Sequence, residues 1–260
     1  MRVAGIDCGT NSIRLLIADV PGDDQPLEDV VRRMEVARLG QGVDRTGQFD
    51  PQALERTLRF VDEYGDQCRE HGVESIRFAA TSATRDASNR DLFLDGVKER
   101  LGVDVQVLSG DEEARASFEG ATSVLGGSTQ EPFLTVDLGG GSTELVLGLN
   151  DGTILGAASM DVGCVRMRER HFEHDPVSEE EVAAARADVQ LALDRTGLDL
   201  SATRTLIGLS GTITTITAKV LDLPAYEPDK IHGAEMSLAE ADGTCEWFIR
   251  STAQERSSLP

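Results

Sequence analysis

Apolar positions along the chain come in short runs and two-residue alternations, broken by glycine-rich and acidic turns. At fixed places the period changes to that of a helix. Val3-Ala4-Gly5-Ile6 carries a first strand over residues 2–7, and after a Gly/Thr/Asn/Ser turn a second is expected over 13–20. A third is expected over 28–38, arginine-rich at Arg32, Arg33 and Arg38. Asp50-Pro51 offers an N-cap with proline at the first helical position, and Leu54, Leu58, Val61 and Cys68 then recur on one face until Gly72. Strand Ile76–Ala80 follows, then a polar stretch Thr81 to Asn89, helix Asp91–Leu101 closed by Gly102, strand Val103–Leu108 and a helix from Asp111 to about Ala121.

The second half repeats this order. Gly126-Gly127-Ser128-Thr129-Gln130 reads as a linker. Strands are expected at 132–138, 143–149 and 153–159, with Asn150-Asp151-Gly152 as a hairpin turn. Helices near 163–172 and 178–196, strand Thr205–Leu209, a helix from Ser210-Gly211-Thr212 to about Leu221, and a last helix over 238–250 complete the reading. Each half is three antiparallel strands followed by alternating helix and strand, a mixed α/β sheet flanked by helices and built twice. The division is expected as residues 1–124 and 125–260.

The repeat is visible residue by residue. Asp7-Cys8-Gly9-Thr10-Asn11-Ser12-Ile13-Arg14-Leu15-Leu16-Ile17 aligns with Asp137-Leu138-Gly139-Gly140-Gly141-Ser142-Thr143-Glu144-Leu145-Val146-Leu147. Each copy is strand, tight turn, strand. The turn residues permit left-handed backbone and close approach of a ligand. Amides and hydroxyls there make a concavity for anions, and an Asp at the strand end beside them suits a divalent metal. Two such hairpins imply two lobes facing each other across a phosphate-bearing ligand.

Charge and cysteine usage narrow the partners. The formal net charge is −21, which argues against nonspecific binding to nucleic acid or an anionic membrane. A polyanionic substrate would then need local arginine and metal, and the only lysines are Lys98, Lys219 and Lys230. Cys8, Cys68, Cys164 and Cys245 are far apart, with no metal-ligand spacing, which suggests a reducing compartment. No apolar run approaches a membrane span, and cytoplasmic location is the expectation.

Three further segments carry candidate chemistry. Ser109-Gly110-Asp111-Glu112-Glu113-Ala114-Arg115 opens a helix with a carboxylate-rich first turn, which capping alone can explain. Ala80-Thr81-Ser82-Ala83-Thr84-Arg85-Asp86-Ala87 offers hydroxyls and an arginine able to reach a phosphate bidentately. Gly208-Leu209-Ser210-Gly211-Thr212 is a strand-to-helix turn suited to an anion. There is no P-loop, dinucleotide fingerprint, His-based metal motif or serine nucleophile elbow. His171 and His174 share a helical face and read as satisfying a helix end.

These stretches, in this order along nearly the whole chain, resemble the exopolyphosphatase/guanosine pentaphosphate phosphohydrolase family of the actin-like ATPase superfamily. The resemblance implies two RNase-H-like lobes with the active site in the cleft between them. It implies hydrolysis of terminal phosphate from inorganic polyphosphate, or of the phosphoanhydride of guanosine pentaphosphate. Glu113 would be the base that activates water, and Glu144 a metal- or water-orienting carboxylate. Asp7 and Asp137 would hold Mg²⁺, with Mn²⁺ as a substitute. Gly9, Thr10, Asn11, Ser12, Arg85, Gly139, Gly140, Gly141, Ser142, Gly211 and Thr212 would hold phosphates. A homodimer is compatible with the family. A kinase of the wider superfamily and a non-catalytic polyphosphate or nucleotide sensor are the competing readings. In the family the second lobe continues past the position of Pro260, so that lobe is expected to be C-terminally incomplete, with apolar surface exposed on helices 212–221 and 238–250.

Overall fold

The computed structural model describes residues 1–22, 27–123 and 130–259. Most of the expected linker and the expected 124/125 boundary lie outside the described residues. The chain divides into two compact units, Met1–Glu113 and Ala114–Pro260.

In the first unit β1 (Arg2–Cys8), β2 (Ile13–Asp19) and β3 (Glu28–Glu35) form an antiparallel meander. Then come α1 (Val43–Thr46), α2 (Pro51–Glu70), β4 (Ser75–Ala80), α3 (Ser82–Asp86), α4 (Asp91–Leu101), β5 (Val105–Val107) and the start of α5 (Gly110–Thr122). The sheet order is β3-β2-β1-β4-β5, with β4 and β5 added in parallel. Asp50 caps α2 by accepting from the Gln52 and Ala53 amides, ahead of Pro51. The apolar stripe of α2 delivers Val61, Tyr64 and Cys68 onto Ile13, Leu15, Ile17, Phe78 and Phe93. Burying such side chains contributes roughly 1.5–3 kcal/mol each. Phe93 meets Phe49 and Phe78 edge-on, each at 6.0 Å. Tyr64 donates its hydroxyl to the Ile13 carbonyl at 3.0 Å, and burial pushes its phenol up to about 12.

The second unit repeats the plan. β6 (Phe133–Leu138), β7 (Thr143–Gly148) and β8 (Ile154–Met160) form the meander, and β9 (Thr205–Leu209) adds in parallel beside β6. The order is β8-β7-β6-β9. Helices α6 (Cys164–His171), α7 (Glu179–Thr196), α8 (Ser210–Val220), α9 (Pro228–Ile231), α10 (Leu238–Arg250) and α11 (Ala253–Arg256) surround it. Leu134, Leu145, Leu147, Met160, Val162 and Met167 form one core. A second gathers around Phe118 and Phe133, whose rings stack at 5.4 Å. His171 meets Asp188 of α7 at 3.0 Å and His174 meets Glu181 at 3.0 Å, so both are held in ion-pairing positions.

The structure differs from the sequence reading at several places. β3 ends at Glu35, not Arg38, because Glu35 faces Ile13, the first residue of its partner β2; three residues on, Arg38 adopts φ 53, left-handed backbone that costs a side-chain-bearing residue roughly 1–2 kcal/mol. The short helices α1, α3, α9 and α11 were not legible, being too brief for a periodic signal. Among the described residues no helix is long and apolar enough to cross a membrane.

Candidate functional site

The two hairpin turns are built alike. Asp7 pairs across the strands with Arg14, and Cys8 with Ile13. Asp137 pairs with Glu144, and Leu138 with Thr143. The Gly9 amide donates to the Ser12 carbonyl at 2.9 Å, and the Gly139 amide to the Ser142 carbonyl at 3.1 Å. Neither Gly9 nor Gly139 uses the left-handed freedom expected of it. What Gly139 supplies is room: a Cβ there would lie 3.1 Å from the Ser142 carbonyl oxygen.

Each turn has its carbonyls tied back by a second segment. In the first unit Arg38 donates its amide to Asn11 O at 2.8 Å, and Gly40 to Thr10 O at 2.9 Å. Gly40 is required, since a Cβ would approach Thr10 Cγ2 to 2.3 Å. In the second unit the first amides of α6 do this work. Cys164 donates to Gly139 O at 3.0 Å, and Val165 and Arg166 donate to Gly140 O at 2.9 and 3.1 Å. The Arg166 guanidinium adds a bond from Nε to Gly141 O at 2.7 Å. In a trans peptide the carbonyl of one residue and the amide of the next point in opposite directions. Tying back the carbonyls of 139–141 therefore turns the amides of Gly140, Gly141 and Ser142 away from α6. Those amides donate to no other described residue. The same argument turns the Asn11 and Ser12 amides outward in the first unit. Successive amides aimed the same way make an anion-binding concavity.

The carboxylates divide into distinct environments. Asp7 meets Arg14 at 3.3 Å at a half-exposed position. Asp137 accepts from Ser117 Oγ at 2.5 Å. Glu144 is only 2% exposed and accepts from Ser159 Oγ at 2.8 Å. As direct cross-strand partners Asp137 and Glu144 place two negative groups side by side, which is unfavourable without a cation. Their oxygens are hard donors of the kind Mg²⁺ takes. Among the described residues no group of three or more His, Cys, Asp and Glu gathers as a preformed cage. A Mg²⁺ bound through one or two carboxylates, waters and substrate phosphates needs none.

At the start of α5 two adjacent glutamates take different tasks. Glu112 accepts from the Ser109 amide at 2.8 Å and from its hydroxyl at 2.9 Å, while Ser109 Oγ accepts from the Glu112 amide at 3.3 Å. This is a capping box, and those bonds hold the Glu112 carboxyl below its ordinary range. Glu113 points elsewhere. Arg85 Nη1, reaching from α3, donates to Glu113 Oε2 at 2.7 Å and to the Leu108 carbonyl at 2.9 Å. The two side chains are 20% and 17% exposed. Arg85, expected as a phosphate contact, thus has protein partners as well. In the other unit Ser210 starts α8 at φ 77, leaving Gly211 exposed at the first turn and Thr212 half-buried beside it.

Sequence reasoning missed the segments Arg38–Gly40 and Gly163–Arg166. The glycines were the available signal: a Cβ on Gly163 would lie 2.5 Å from the Gly140 carbonyl.

Paired turns with outward amides, each at the end of a strand bearing an aspartate, define a phosphate-handling protein of duplicated α/β architecture. The Ppx/GppA phosphatase family model matches residues 16–260, and the chain belongs to that family. It is 43% identical over 268 residues to Exopolyphosphatase 2 of Mycobacterium tuberculosis, covering 99% of this chain and 83% of that protein. A crystal structure of an exopolyphosphatase-like protein matches with a TM-score of 0.96 at 44% identity, over 99% of this chain and 80% of the other. The Aquifex aeolicus PPX-GPPA enzyme matches with a TM-score of 0.80 at 33% identity, over 99% and 83% of the two chains.

Proposed function

We propose that this protein is an exopolyphosphatase, a hydrolase that releases terminal phosphate from inorganic polyphosphate. The observation that carries the reading is the separation of Glu112 from Glu113. Glu112 is consumed in the capping box, and Glu113 is presented with one carboxylate oxygen on Arg85. A carboxylate so placed can accept a proton from a water as that water attacks the terminal phosphorus. The water oxygen bonds to phosphorus, the bridging P–O bond breaks, and the shortened chain leaves with the bond's electron pair.

The amides of Gly140, Gly141 and Ser142, and those of Asn11 and Ser12, are proposed to bind phosphoryl oxygens, joined by the Thr10 hydroxyl, Gly9, Gly139, Gly211 and Thr212. Fixed donors need no reorganisation as charge spreads over the transferred group. Arg85, bonded to Glu113, is proposed to orient that carboxylate and to share a phosphoryl oxygen. Asp7, Asp137 and Glu144 are the residues that would hold Mg²⁺, or Mn²⁺ in its place. When bound, the ion supplies neutralisation of phosphate charge.

Hydrolysis of guanosine pentaphosphate, which the family resemblance also implies, is the second reading for the same residues. Phosphate release from polyphosphate, guanosine pentaphosphate and ATP, measured side by side at equal phosphoanhydride concentration, tests the proposal. Release from polyphosphate in excess over the others is expected. Release from guanosine pentaphosphate alone supports the second reading, phosphorylation of an added acceptor by ATP supports a kinase, and binding without turnover supports a sensor.

A further inference from the structure

Three arginines of the first unit lie close in structure to its hairpin turn or to Glu113, and two are engaged. Arg14 is paired with Asp7, and Arg85 with Glu113 and the Leu108 carbonyl. The third, Arg38, makes no side-chain hydrogen bond or ion pair with any described residue. Its place is fixed all the same. Ala37 and Leu39 on either side are fully buried, and its own amide is bonded to Asn11 O. The side chain between them is exposed. Its backbone is held at φ 53, a conformation that glycine adopts without strain and arginine does not.

A second observation points to a ligand at the same turn. Thr10 is 8% exposed, and its Oγ1 is buried with no hydrogen-bond partner. Buried hydroxyls are ordinarily paired, and one left over beside outward amides is a donor awaiting an acceptor. A polyanion bound to a chain of net charge −21 needs a cation that the protein has not already neutralised.

We propose that Arg38 is a substrate-binding residue whose guanidinium takes a phosphoryl group of polyphosphate at the Gly9–Ser12 turn. The proposal rests on polyphosphate being the substrate. A guanidinium offers two parallel donors to phosphate oxygens. The left-handed turn is then the device that lets one residue bind the loop carbonyl through its amide and the ligand through its side chain.

The test is equilibrium binding of long-chain polyphosphate to the full chain carrying Glu113→Gln, which removes the base so that the ligand persists. Arg38→Ala and Arg38→Gly are each expected to weaken binding about tenfold and to flatten its salt dependence. Arg38→Lys is expected to recover part of the loss. Arg32→Ala, which removes the same charge from β3, is expected to leave binding unchanged. Arg38→Gly separates the two roles, because glycine keeps the φ 53 turn. If it binds as tightly as the arginine protein, the residue serves the backbone only and the proposal falls. Equal loss in Arg32→Ala also overturns it, since net charge would then be the cause. No polyphosphate binding by the Arg38 protein overturns both this proposal and the functional reading beneath it, whereas binding that Arg38→Ala leaves unchanged overturns this proposal alone.

Discussion

Arg85 Nη1 and Glu113 Oε2 lie 2.7 Å apart, joining the short helix after β4 to the first turn of α5. Because Arg85 also donates to the Leu108 carbonyl, the guanidinium is anchored on backbone, and the carboxylate takes its orientation from it.

Glu113→Gln is expected to lower kcat by about 10²–10⁴ while leaving the melting temperature near that of the parent, the usual worth of a general base. Glu112→Gln should matter much less for turnover, because that carboxylate serves the cap at Ser109 and not the chemistry. Steady-state kinetics and thermal melts on both variants check this. Parent-like turnover in Glu113→Gln would remove it from the role of base.

Arg85→Lys keeps the charge and loses the forked geometry. Turnover is expected to fall more than substrate affinity, because Glu113 loses its fixed orientation. A variant that changes only KM would instead show Arg85 to be a simple phosphate contact.

Excess EDTA is expected to abolish phosphate release, and Mg²⁺ to restore it. Asp7→Asn and Asp137→Asn should each raise the Mg²⁺ concentration needed for half-maximal activity. A titration of activity against free Mg²⁺ reads this directly. Full activity in excess chelator would exclude a metal role for these carboxylates.

Gly163→Ala is expected to disturb the second turn from outside it. A methyl group there meets the Gly140 carbonyl at 2.5 Å, so α6 or the turn must move. Overpacking of this kind costs about 1–3 kcal/mol. The distinguishing readout is a rise in KM beyond that of a stability-matched core variant such as Val61→Ala.

Glu181 caps α7 and accepts from the Ser178 amide at 2.7 Å and the Glu173 amide at 2.6 Å. These bonds hold its carboxyl down to about 2, below the ordinary 4.5. A depressed carboxylate contributes stability that is fully present above the unfolded value and is lost as pH falls through the folded one. Glu181→Gln should therefore melt lower than the parent at neutral pH, with the gap closing as pH falls from about 4.5 towards about 2. A gap independent of pH would show that the carboxylate charge is not what stabilises the cap.

Much of this architecture was legible because its signals are local. Asp50-Pro51 fixes the start of α2, and the Asp7 and Asp137 segments repeat the same polar residues in register. The two-sheet fold follows from those repeats and from the order of strands and helices. What stayed hidden depends on contacts between distant segments. Nothing near Arg38 announces that its amide will bind Asn11, and Gly163, although a glycine signals a close approach, does not say which distant segment will fill the space beside it. Glu112 and Glu113 are chemically identical in the sequence. Only the family resemblance separated them beforehand, and the physical reason for their different partners is the capping box that ties Glu112 to Ser109 and leaves Glu113 on Arg85.

That reason has a consequence for the length of the chain just before α5. Successive residues of a helix point about 100° apart, so two adjacent side chains cannot do the same job. The reciprocal bonds between Ser109 and Glu112 act as a ruler that sets the rotational phase of the helix. An added residue upstream of Ser109 could be taken up by the loop without changing that phase. One added between Ser109 and Glu112 would break the box or carry it forward by a step, swinging the neighbouring carboxylate away from Arg85. In this protein the spacing of a structural cap thus doubles as the aiming mechanism of a chemical group.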